Sequence, residues 1–207
     1  MPNWCSNHIT VRGTNQREIS EIAEAMREGR FCAHVIPTPK ELTETVAGSV
    51  AEGPERDAHE AQMKSNMEKF GHTDWYSFQT SHWGTKWDVD CYDVEVEDDG
   101  LTVSAGFDSA WSPPMGIAEE LVNRGLSVTL HYYEPGMAYV GKFEDGYDDC
   151  YELGGETSQT VRAAIGDELD DMWGISESMA EYEADNEEEL TQWIKDGADK
   201  KAQLIAE

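Results

Sequence analysis

The chain has 207 residues, 39% of them hydrophobic and 10% aromatic, enough apolar material for one sizeable domain with an appendage or for two small domains. Its formal net charge of −28 creates a field that repels nucleic-acid phosphates and bilayer surfaces and attracts basic proteins or cations, although the same charge also serves plain solubility. No run reaches the roughly 18 to 20 apolar residues of a membrane span, so neither direct nucleic-acid binding nor membrane insertion is expected.

Met1-Pro2-Asn3-Trp4 carries no basic region and no apolar run, so no signal peptide is expected and the cytoplasm is the expected compartment. Cys5, Cys32, Cys91 and Cys150 are scattered, with no Cys-x-x-Cys pair. That spacing argues against a zinc ribbon and against a disulfide scaffold, leaving reduced thiols.

The alternation in His8 to Gly13 predicts a first strand, and Asn15 is placed to cap a helix over 16–28 with an apolar stripe of Ile19, Ile22, Ala23 and Met26. Phe31 to Ile36, stopped by Pro37-Thr38-Pro39, reads as a second strand. Residues 40–70 are polar, with helical character from about Asp57, and read as a loosely packed insertion. Alternation predicts a strand over 90–97, a turn at Asp98-Asp99-Gly100 and an antiparallel partner from Leu101 to Phe107. Pro113 and Pro114 open a helix through Ile117, Leu121 and Val122, which Asn123-Arg124-Gly125 closes. Two more strands are expected, at 126–133 and 139–143. Together these elements predict an α+β, ferredoxin-like antiparallel sheet with helices on one face.

Composition shifts after Phe143: residues 144–207 hold 20 acidic and 4 basic residues, a net of −16. Val161, Ile165, Leu169, Met172 and Trp173 keep helical spacing, interrupted at Gly166 and Gly174. A further helix is expected from about Glu187, capped by Asp185 or Asn186 and packed through Leu190, Trp193, Ile194, Leu204 and Ile205. The domain reading is therefore a ferredoxin-like domain at 1–153, with its insertion at about 40–70, and an acidic helical extension at 154–207.

Five segments resemble the Api92-like family, also described as the YubB ferredoxin-like domain of phages and plasmids. They are Met1 to Asn7, Ile36-Pro37-Thr38-Pro39-Lys40-Glu41-Leu42, Trp83-Gly84-Thr85-Lys86-Trp87-Asp88, Phe107-Asp108-Ser109-Ala110-Trp111-Ser112-Pro113-Pro114, and Tyr133-Glu134-Pro135-Gly136 with Gly141. The resemblance covers roughly residues 1–153 and implies a ferredoxin-like fold, a mobile-element origin and hence a host cytoplasm. It implies no activity.

Two surfaces compete for function. Trp83, Lys86, Trp87, Asp108 and Trp111 could line a ligand groove, or the aromatics could simply cover one end of the sheet. In the extension, Asp167, Glu168, Asp170, Asp171, Glu181, Glu183, Glu187 and Glu188 form an acidic series. Such a series could dock a basic or DNA-binding host protein, even imitating DNA phosphates, or could be a solvated helix face. Asp88, Asp90, Asp93 and Asp108, and separately His72, His82, His131 and Cys91, match no metal-ligand spacing, so no metal or cofactor is expected. No Gly-x-Ser-x-Gly elbow or phosphate-binding loop appears, and no catalytic residue set is named. The expected role is a non-catalytic phage-type accessory protein that binds a host protein, with homodimerisation open; the alternative is a ligand-binding protein or enzyme using the Trp-lined end.

Overall fold

The computed structural model describes residues 3–187. Six antiparallel strands form one sheet in the order β2-β3-β1-β4-β5-β6. The strands are β1 (Trp4–Arg12), β2 (Tyr92–Val96), β3 (Thr102–Ala110), β4 (Ser127–Glu134), β5 (Tyr139–Glu144) and β6 (Tyr147–Glu152). Helix α1 (Gln16–Arg27) follows β1, and helix α6 (Met115–Asn123) links β3 to β4. The first four strands with α1 and α6 make the β-α-β-β-α-β order of a ferredoxin-like core. The fold is α+β, as the sequence predicts.

The register explains the layering. Ile9 lies opposite Ala105 and Leu130, Val11 opposite Val103 and Val128, and Asn7 opposite Phe107 and Tyr132. Side chains alternate across a strand, so these residues share one face. That face is sealed by Ile19, Ile22, Ala23 and Met26 of α1 and by Ile117, Ala118 and Leu121 of α6, all buried. Asn15 caps α1 by accepting the Arg17 N–H, and the predicted apolar stripe is the buried stripe.

One expected element has the wrong type. Residues Phe31–Val35 form a short helix, α2, and not a strand. The reason lies 55 residues away: the Asp88 carboxylate accepts the N–H groups of Cys32 (2.8 Å) and Ala33 (2.9 Å), the free donors of the first turn. Phe31, Cys32 and Val35 are buried on the resulting face.

The predicted insertion at about 40–70 is helical, with α3 (Lys40–Thr43) and α4 (Pro54–Phe70), and α5 (Trp75–His82) follows it. Helix α4 buries only Asn66, which donates to Thr45 Oγ1 and to the Thr73 carbonyl, consistent with loose packing. Asp74 and Ser77 close a capping box at the start of α5. The acidic strand β6, exposed along its length, has no apolar alternation to announce it and was not expected.

By compactness the chain divides at 150/151. In the second unit α7 (Val161–Ile165) and α8 (Asp167–Trp173) are separated by Gly166, and Gly174 ends α8 in a left-handed conformation. Residues 175–187 are helical again. Asp185 and Asn186 thus sit inside a helix and do not cap a new one. Glu188 and the predicted packing residues Leu190, Trp193, Ile194, Leu204 and Ile205 lie outside the described residues.

Candidate functional site

The motif segments meet at one end of the sheet. Trp4 opens β1 beside Ala110 at the close of β3. The loop after α5 is stitched to the loop after β3: Thr85 Oγ1 donates to the Ala110 carbonyl (3.1 Å) and accepts its N–H (3.0 Å). Ser112 Oγ donates to the Gly84 carbonyl (2.5 Å), and Ser109 Oγ donates to the Ser112 carbonyl (2.7 Å). Asn7 of the first motif donates to Ser109 Oγ (2.8 Å). Gly116 is required here, because a Cβ would lie 2.0 Å from the His82 carbonyl oxygen. At the fifth motif, Glu134 accepts the N–H groups of Gly136 and Met137, fixing the turn beyond β4.

These bonds sort the tryptophans into two roles. Trp83 is buried, 2% exposed, and its indole N–H donates to the Ile36 carbonyl (2.8 Å), so most of its ring is in the core. Trp87 is 40% exposed, Trp4 50% and Trp111 41%. Trp87 packs on Trp4 at 6.3 Å and on Trp111 at 6.5 Å between ring centroids, and Tyr76 meets Trp111 edge-on at 6.5 Å. Offset and tilted aromatic pairs of this kind are favourable, but burying them would be more so. The cluster is thus apolar surface left open to solvent.

Trp111 is also held in a strained backbone. Its φ is +68°, a left-handed value that costs a side chain of this size roughly 1–2 kcal/mol. The conformation is enforced on both sides: its N–H donates to the Asn3 carbonyl (2.9 Å), and its own carbonyl accepts the Tyr139 hydroxyl (3.0 Å). Strain maintained in this way concentrates at functional positions.

Lys86 and Asp108, both predicted groove residues, are not paired with each other. The Lys86 ammonium stands 4.3 Å from the Trp87 ring centroid, 5.4 Å from Trp111 and 5.5 Å from Tyr76, a cation held by aromatic faces. Asp108 accepts the Ser6 hydroxyl at Oδ1 (2.9 Å).

A cavity of about 290 Å³ opens beside this cluster, walled by Trp4, Trp87 and Tyr92 with Asp88, Asp90 and Asp108. Tyr92 reaches it by lying across Gly106, where a Cβ would sit 2.3 Å from its ring. Burial, with the neighbouring Asp108 charge second, raises the Tyr92 hydroxyl above its ordinary pKa and keeps it neutral. Trp4, Asp90 and Tyr92 were not among the predicted groove residues. Trp4 and Tyr92 are separated from the Trp83 motif in sequence, and only strand register brings them to it. A more open groove of about 550 Å³ runs along Pro37, Thr38, Trp75, Gln79 and Trp87, and the accessible edge of the predicted groove residue Trp83 contributes to its wall.

Four members of the acidic series, Asp167, Asp170, Asp171 and Glu183, are bonded within the second unit. Arg162 pairs with Asp167 (2.7 Å), Asp170 (3.1 Å) and Asp171 (2.8 Å). Asp170 is 2% exposed and also accepts the N–H and hydroxyl of Ser176 (2.7 and 2.6 Å), so it cannot present a charge to a partner. Burial alone would raise its pKa; the Ser176 bonds and Arg162 outweigh that and hold it below the usual carboxylate range. Glu183 accepts from the Ser158 N–H (2.9 Å) and hydroxyl (2.7 Å). Glu168, Glu181 and Glu187 are exposed, and Glu188 lies outside the described residues.

His72 and His82 meet ring to ring at 5.0 Å. Among the described residues no group of three or more His, Cys, Asp or Glu is disposed to hold a metal ion, and no helix is long and apolar enough to cross a membrane.

No protein-family profile matches the chain, and no curated protein matches it. Among solved structures it is similar to the crystal structure of a protein Api92 from Yersinia pseudotuberculosis, at 12% identity and a TM-score of 0.37, over 74% of this chain and 95% of that one.

Proposed function

We propose that this chain is a non-catalytic accessory protein of the phage type that binds a basic protein of the host cytoplasm, and that the Trp-rimmed end of the sheet is its recognition surface. The observation that carries this reading is the exposed Trp4–Trp87–Trp111 cluster with uncompensated carboxylates at its edge. Aromatic residues at the centre of a patch supply most of the energy of protein interfaces, and complementary charge speeds and selects the encounter. The net charge of −28 supplies the long-range part of that attraction, with the exposed Glu181 and Glu187 contributing to it. The motif resemblance to phage and plasmid proteins motivates the host-directed part.

The test is affinity capture by the tagged full chain in host lysate, washed across a salt series and challenged with duplex DNA. The expected result is a discrete basic protein, released by salt and lost with Trp87→Ala. Release by competing DNA would identify that partner as a DNA-binding protein. Capture of nothing, or undiminished capture by Trp87→Ala, would contradict the proposal.

A further inference from the structure

The chemistry of the cavity specifies more than a generic basic partner. We propose that the cavity between Trp4, Trp87 and Tyr92 is a receptor for a single arginine side chain, an inference that rests on the binding function proposed above and names the group it recognises. At about 290 Å³ the space falls just below the roughly 300–1,000 Å³ of sites that enclose drug-sized ligands, so it suits one side chain and not a nucleotide or a large cofactor. Its walls include three aromatic side chains and its charged groups are all carboxylates, a combination that disfavours anions and favours a cation.

Two of those carboxylates are free to serve. Asp88 is occupied, accepting N–H groups from Cys32, Ala33 and Val89. Asp108 uses only Oδ1, toward Ser6, and Asp90 accepts no hydrogen bond among the described residues. Neither has an ion-pair partner among the described residues, and both are exposed. Lys86 shows that these rings hold a cation: its ammonium lies over Trp87 and Trp111 with no ion-pair partner among the described residues. A guanidinium fits the neighbouring cavity better than an ammonium does. It is planar, so it stacks on an indole, and its donor fork reaches one carboxylate with two bonds or two carboxylates with one each. It is also more weakly hydrated, so entering an aromatic slot costs it less.

The test is a titration of the purified full chain with doubly blocked arginine (N-acetyl-arginine amide), following the tryptophan indole N–H signals by NMR. Blocked citrulline, which keeps the shape and loses the charge, and blocked lysine serve as controls. The proposal expects saturable shifts of the Trp4 and Trp87 signals with arginine, at least tenfold weaker binding of lysine, and none of citrulline. It expects at least tenfold weaker arginine binding in Trp87→Ala and in the double variant Asp90→Asn, Asp108→Asn, with thermal unfolding confirming that both fold. A citrulline response equal to that of arginine, equal affinity for lysine, or an unchanged response in the variants would overturn the assignment. So would no response at all. If the blocked arginine fails while a basic protein is still captured through Trp87, the arginine receptor falls and the binding function stands; if both fail, both fall.

Discussion

In the second unit Arg162 gathers Asp167, Asp170 and Asp171, and Glu183 is bonded to Ser158; at the end of the sheet Asp90 and Asp108 stand exposed beside three exposed tryptophans and meet no cation among the described residues. Both regions are acidic in sequence, and the density of carboxylates is higher in the second unit. The difference lies in what the carboxylates are bonded to. Where they are satisfied internally they stabilise the local fold, and where they are left at an aromatic rim they are available for recognition. A run of acidic residues is therefore a weaker indication of function than two carboxylates with no ion-pair partner among the described residues.

The same contrast runs inside one motif. Trp83 and Trp87 are four residues apart, yet one is core and the other surface. Replacing Trp83 with Ala should cost about 4 kcal/mol, since a buried indole and its bond to Ile36 are lost together; urea denaturation of the full chain measures it. A loss under 1 kcal/mol would erase the distinction between the two tryptophans.

In the second unit, Asp170→Ala should cost about 2 kcal/mol, the worth of charge-assisted bonds to a buried carboxylate. The pH dependence has a definite sign. Because the folded carboxyl titrates below its ordinary value of about 3.9, its contribution is fully present above that value and is lost as pH falls through the lower folded value. Acid unfolding followed by circular dichroism should show a fall in stability below about pH 4 that Asp170→Asn flattens.

A finer test concerns Trp111. Alanine at this position keeps the left-handed strain, whereas glycine relieves it, so Trp111→Gly should be more stable than Trp111→Ala by about 1 kcal/mol. Equal stability would remove backbone strain from the account of the site.

The smallest perturbation is chemical. Cys5 and Cys91 are pushed up to about 12 by burial, and Cys32 is raised as well by its complete enclosure. All three remain thiols at neutral pH. Cys150 is exposed. A thiol reagent at pH 8 should therefore modify Cys150 first in the native chain and the partly exposed Cys91 more slowly, with the buried Cys5 and Cys32 reacting only on unfolding.

Much of the architecture is legible in the sequence because period-2 and period-3.6 patterns survive in it: β1, α1, the β2–β3 hairpin, α6, β4 and β5 are all announced by apolar spacing and by turn residues. Two elements escape this reading, for different reasons. Phe31 to Val35 is a short apolar run that fits either helix or strand, and the carboxylate that decides the matter is Asp88, far along the chain. Strand β6 carries alternating nothing, since all its residues are exposed. At the candidate site, Trp87, Trp111 and Asp108 were readable as motif residues. Register alone adds Trp4 and Tyr92, and no spacing rule distinguishes the buried Trp83 from its exposed neighbours.

The most direct test of the central claim compares three versions of the full chain in parallel capture experiments: wild type, a sheet-end variant with Trp87→Ala, Asp90→Asn and Asp108→Asn, and a helix variant with Glu181→Gln and Glu187→Gln. The account predicts that the sheet-end variant loses the partner, while the helix variant keeps it with a modest, salt-sensitive loss. Loss of the partner in the helix variant with full retention in the sheet-end variant would contradict it and return recognition to the acidic helices.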